Sequence, residues 1–114
     1  MSLASFIKKR YGVNTHSRTN RMGGVCGLAA AQLCPNDPNR LALLIVNLSV
    51  NIVYLSFDNL VGPAHGIYLG ANGGYLALNW QDDLETLSRE VWGIATGAGS
   101  AVYVLETLES NPTD

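Results

Sequence analysis

Charge is what this 114-residue chain has least of. Only 14% of its residues are charged, against about 25% in an ordinary soluble domain, while 47% are hydrophobic. A surface this poor in charge is expected to be covered in part by other copies of the chain or by another protein. Cysteine and histidine are scarce too, with two of each. Cys26 and Cys34 match neither a zinc-ligand nor a redox spacing, so two free, mostly buried thiols are expected. His16 and His65 have no partners at metal-ligand spacing. No nucleophile elbow, paired catalytic acids or Cys/His constellation appears. The reading is therefore a non-enzymatic protein without cofactor or metal. Met1–Arg10 puts its positive charges after its few apolar residues, the reverse of a secretory signal, and the default expectation is an intracellular product.

Acids are missing from the first 36 residues, and bases are nearly missing from the rest. Lys8, Lys9, Arg10, Arg18 and Arg21 make five of the seven basic residues, and the first acid is Asp37. The chain thus reads as a basic arm over 1–22, an acidic body over 23–109 and a flexible tail over 110–114. Leu3, Phe6, Ile7 and Tyr11 fall on one side of a short helix, whereas Asn14–Asn20 reads as structureless. Such an arm is either solvated or docked on an acidic neighbour. Nucleic-acid binding comes third among these readings and is not expected, because no basic or aromatic patch continues into the body.

The longest uncharged run lies between Arg40 and Asp58: seventeen residues, thirteen of them apolar. Asn47, Ser49 and Asn51 sit at its centre, the costliest depth for polar groups in a bilayer, and all three favour turns. The flanks are rich in β-branched and aromatic residues, which suit a pleated sheet. The run therefore reads as strands over 41–47 and 52–57 joined by Leu48–Val50 as a hairpin, and no membrane span is expected.

Other strands are expected over Val25–Leu33, His65–Leu69, Glu90–Thr96 and Ala101–Glu106. Asn72-Gly73 between apolar runs signals a further hairpin, and Gly97–Ser100 another. Beyond Asn72-Gly73, Leu76, Leu78 and Trp80 share one face of a strand by alternation. Gln81–Ser88 is a loop or a helical turn capped by Asp82. About seven short strands without a long helical period predict an all-β fold, an antiparallel β-sandwich or barrel with an extended N-terminal arm.

Strands 41–46 and 101–105 are apolar on both faces, which a lone sandwich of this size does not need. Leu44, Val46, Val53, Leu55, Tyr75 and Tyr103 are accordingly the candidate oligomer interface. Arg40 reads either as the partner of a neighbouring subunit's carboxylate or as a solvated strand-end residue. Asn47 reads as a turn former. Asp82, Asp83, Glu85 and Glu90 are an exposed acidic loop without a spaced ligand pattern. Trp80 and Trp92 occupy apolar positions of alternating strands, which suggests core.

Taken in order, PNDPNRLALLIVNLSVNIVYLSF, GIYLGANGGYLALNW and REVWGIATGAGSAVYVLE resemble a group of small bacteriophage and prophage structural proteins. The resemblance covers residues 35–106 and leaves out the basic arm. It implies a β-sandwich that assembles with copies of itself on a virion, as a capsid decoration, vertex or tail component, made in the host cytoplasm. Its partners would be other copies, in a closed homo-oligomer, and the major capsid or other virion proteins. Lys8, Lys9, Arg10, Arg18, Arg21 and Arg40 are the candidate partner-binding residues. The alternative is a carbohydrate- or receptor-binding module on a virion fibre, with Tyr54, Tyr68, Trp80 or Tyr75 as stacking surfaces.

Overall fold

A computed structural model describes residues 2–110. Met1 and residues 111–114, which include most of the expected flexible tail, lie outside the described residues. The described chain is mostly β, with nine strands in two antiparallel sheets. In chain order they are β1 (Thr15–Thr19), β2 (Val25–Cys26), β3 (Ala31–Cys34), β4 (Arg40–Asn47), β5 (Val53–Ser56), β6 (Ile67–Leu69), β7 (Tyr75–Asn79), β8 (Val91–Ala95) and β9 (Ser100–Glu109). A helix α1 (Leu3–Tyr11) precedes them. A one-turn helix α2 (Trp80–Asp83) and a 3-10 helix over Leu84–Ser88 lie between β7 and β8. No helix among the described residues is long and apolar enough to cross a membrane.

The first sheet runs β1-β9-β4-β7, and β2 continues along the edge of β9 that β1 occupies; the second runs β3-β8-β5-β6. Alternation decides what lies between them. Leu43 and Ile45 of β4 and Val102 and Val104 of β9 pack in one cluster with Leu33 of β3, Val53 and Leu55 of β5 and Val91 of β8. Each such side chain contributes about 1.5–3 kcal/mol when fully buried. Two antiparallel sheets sharing one core are compatible with a β-sandwich.

The three expected hairpins are not hairpins. β4 pairs with β7 and β9, while β5 pairs with β6 and β8. Leu48–Val50 therefore carries the chain from one sheet to the other. Asn72-Gly73 does the same between β6 and β7, and Gly97–Gly99 between β8 and β9. The turn chemistry was real: Asn72 and Gly73 have φ of 58° and 122°, the positive values that a type I′ signal demands. What local pattern does not carry is the identity of the neighbour, because period-2 alternation is the same whether the next strand pairs or crosses over.

The crossings are tied together by one buried side chain. Asn47, fully buried, donates through Nδ2 to the carbonyls of Asn51, Leu69 and Gly70. Its Oδ1 accepts from the backbone N–H and hydroxyl of Ser49. The backbone of Asn47 also bonds that of Gly73 and Gly74, so the crossings at Leu48–Val50 and Asn72-Gly73 meet at this residue. It is more than a turn former. Asn51 extends the link to the third crossing by donating to the Ser100 hydroxyl at 2.9 Å.

Two other expectations shift. The expected strand Val25–Leu33 is two strands in different sheets, because the chain bends at Leu28-Ala29, just after Gly27, whose carbonyl accepts from Ala95 of β8. The polar stretch expected to be structureless contains β1, which pairs through Thr15–Thr19 with Leu105–Glu109 of β9. Its composition is polar because it lies at a sheet edge, where only one side of the strand is paired. Asn79, not Asp82, caps α2 by accepting from the Asp82 N–H at 2.9 Å, with the extended backbone typical of that position.

Candidate interaction surface

The sheet that contains β4 turns its second face outward, and that face is apolar. Register places Tyr75 of β7, Val46 of β4 and Tyr103 of β9 in one row, and Ala77, Leu44 and Leu105 in the next. Tyr75 is 67% exposed, while Leu44, Val46, Tyr103 and Leu105 are half-buried. Four of the six candidate interface residues, Leu44, Val46, Tyr75 and Tyr103, thus form a contiguous patch. Val53 and Leu55 do not belong to it. They are 0% and 1% exposed, because β5 sits in the other sheet and points them into the core.

At one end of this face lies α1. Ser2 caps its N-terminus by accepting from the Ser5 N–H, and Gly12 ends it in a left-handed conformation with its N–H on the Lys8 carbonyl. Lys8, Lys9 and Arg10 occupy its last turn, where the helix dipole favours cations. No residue of α1 is buried, and Leu3, Phe6 and Tyr11 are 73%, 51% and 56% exposed. Between the helix and the sheet runs a cleft of about 420 Å³, whose walls include Ile7, Tyr11, Leu41, Ala42, Trp80 and Thr107. Tyr11 and Trp80 meet edge to face across it at 6.5 Å. Trp80 is 48% exposed, a cleft wall and not the core residue expected, because the chain leaves the β7 strand one position before it and turns into α2.

Arg21 and Arg40 do something the sequence reading missed. Glu106 is fully buried in the middle of β9. Arg21 donates to it from Nε at 2.9 Å and Nη2 at 2.6 Å, and Arg40 donates from Nε at 2.8 Å. Arg21 also bridges to Asp37 at 2.8 Å. Arg40 donates further to the carbonyls of Leu87, Arg89 and Pro35. Two cations and two carboxylates balance. Burial alone would push the Glu106 carboxyl up, but the hydrogen bonds from Arg21 and Arg40 hold it below the usual range. Burial likewise opposes the ionised form of Asp37, and the Asn39 N–H and Arg21 hold its carboxyl below the usual range. The hydrogen bonds to Glu106 push the Arg21 guanidinium up.

Arg40 is therefore neither solvated nor free for another subunit, and Arg21 belongs to the body. The signal for this cluster was a lone Glu in an apolar strand with a lone Arg at the start of another. Lys8, Lys9, Arg10 and Arg18 remain exposed and form no ion pair among the described residues.

The outer face of the other sheet is aromatic. Tyr54 and Tyr68 pair across β5 and β6 with rings 5.9 Å apart, edge to face, and Trp92 of β8 lies half-buried between Ser56 and Gln32. His65 bonds the Asp58 carboxylate at 3.1 Å, and His16 bonds the Ser110 hydroxyl at 2.7 Å. No group of three or more His, Cys, Asp or Glu among the described residues is placed to hold a metal. Cys26 and Cys34 are free and buried, and burial pushes both thiols up to about 11.

Comparison with protein-family models, with curated proteins and with solved structures returned no match.

Proposed function

We propose that this chain is a non-enzymatic structural protein of a bacteriophage virion, a β-sandwich with an N-terminal arm that assembles into a closed homo-oligomer and decorates or stabilises the capsid, or connects it to the tail. The observation that carries the self-assembly is the outward row of Tyr75, Val46 and Tyr103 above Ala77, Leu44 and Leu105. An apolar sheet face left to water costs roughly 25 cal/mol per Å², and covering it with a second copy removes that cost. The virion setting rests on the resemblance of residues 35–106 to small phage structural proteins. Lys8, Lys9, Arg10 and Arg18 are the basic groups left for contact with other virion proteins.

The test is mass spectrometry of gradient-purified virions from the phage or induced prophage whose genome encodes this chain. Stoichiometric copies in the particle are expected; absence from particles made by cells that express the chain would overturn the reading.

A carbohydrate- or receptor-binding module has one observation in its favour, the exposed Tyr68 beside the half-buried Tyr54, since rings of this kind give a sugar an apolar face to stack on. Binding on a glycan array that is lost in Tyr68→Ala would establish it, and silence from folded protein would remove it.

A further inference from the structure

The outward sheet face is too small to hold an oligomer by itself. Three strands spaced about 4.8 Å apart and roughly five residues long cover on the order of 250 Å², whereas a stable interface takes roughly 800 Å² from each partner. The missing area has to come from elsewhere, and α1 is the apolar surface next to it. The helix does not serve its own chain well. It leaves the cleft open, buries no residue and turns Leu3 and Phe6 to water.

Its charges are also unmet. Lys8, Lys9 and Arg10 make no ion pair within the described residues, although Ile7 and Tyr11 of the same helix line the cleft together with Trp80 and Gln81. Just after those two residues come Asp82, Asp83 and Glu85; Asp82 and Asp83 accept from Asn79, but none of the three meets a cation among the described residues. A helix with three bases and no acid therefore lies beside a rim with three acids and no base. Complementary charge without contact inside one chain is what a contact between two chains leaves behind.

We propose that the cleft is closed by the α1 helix of a second copy, which lays Leu3 and Phe6 into it and brings Lys8, Lys9 and Arg10 to the rim formed by Asp82, Asp83 and Glu85. The contact is reciprocal, as a two-fold interface requires. It rests on the self-assembling reading above and names the surfaces that reading uses. Gly12 ends α1 at φ +72° with open space where a side chain would stand, so nothing at the helix C-terminus blocks the approach of a second copy.

Disulfide trapping between two full-length variants tests this. Phe6→Cys and Gln81→Cys both replace exposed residues, and the native thiols are buried and poorly ionised, so the introduced thiols are the reactive ones. One variant carries a mass-distinct tag, and the two are mixed and mildly oxidised. A disulfide joining one copy of each is expected, at a yield at least tenfold above that of Phe6→Cys mixed with Ala64→Cys, which places its thiol on the loop between β5 and β6. The native mass of the mixture before oxidation separates the failures. A multimer that gives no such product overturns the arm contact and leaves self-assembly standing. A monomer that gives none overturns both.

Discussion

Glu106 is the residue whose role local pattern hides best. It sits at an inward position of β9, where alternation assigns a hydrophobic side chain, and its two arginines come from 66 and 85 positions away in sequence. Nothing in a window of ten residues points to that meeting. Removing Arg40 leaves the buried Glu106 carboxylate with one cation instead of two and leaves the cluster with an excess negative charge, so Arg40→Met is expected to destabilise the fold by about 3–5 kcal/mol, measured by urea unfolding. The cluster also sets the acid limit. Glu106 and Asp37 are held below their usual values, so the unfolded chain takes up their protons first. Their contribution is complete above the unfolded values of about 4.3 and 3.9 and is lost as pH falls through the lower folded values. The melting temperature is therefore expected to be level from pH 7 to about 5 and to fall below about 4, with a smaller fall in Glu106→Gln. Asn47 was visible as a turn residue, yet its three acceptor carbonyls lie up to 23 positions away. Asn47→Ala leaves them unpaired and should cost about 1–3 kcal/mol.

Among the elements, existence was legible and partnership was not. β4, β5, β7, β8 and β9 stand close to where alternation and β-branched content put them, and the Gly/Asn/Pro clusters mark real turns. The neighbours were misread because the chain changes sheet at nearly every turn: β3, β4, β5, β7, β8 and β9 are each entered from the opposite sheet, and only β5 and β6 are consecutive partners. β1 was missed because an edge strand with polar side chains has no hydrophobic period to show. This sharpens the division of the N-terminal segment. α1 buries nothing, whereas β1 pairs with β9 and Arg21 binds Glu106. Deleting residues 1–12 should leave the stability of the single chain, measured at a dilution where copies do not associate, within about 0.5 kcal/mol. Deleting residues 1–22 should cost about 3–5 kcal/mol, since it also breaks the buried ion pair. Urea midpoints of the two truncations measure the difference.

For the whole molecule, the low charge content read from composition has a location. It is concentrated on one outward sheet face and one helix side, which meet at the cleft beside Trp80. The longest axis of the described chain is 45 Å against 25 and 23 Å for the others, and the radius of gyration is 15.0 Å, where a compact chain of this length has about 13 Å. Four of the six interface candidates lie on that face because both faces of β4 and β9 are apolar, and sequence shows that much. It does not show which face looks inward. Val53 and Leu55 were misassigned for that reason, since β5 has an equally apolar inner side and its sheet is fixed only by pairing with β6 and β8.

Light scattering decides the central claim, that the outward face joins copies of this chain. The measurement compares intact protein with Tyr75→Glu, which puts a charge at a position 67% exposed on the outward face. The expected result is a discrete multiple of 12.2 kDa for the intact protein and a single-chain mass for the variant, with an unchanged circular-dichroism spectrum. A folded intact protein of single-chain mass would contradict the account.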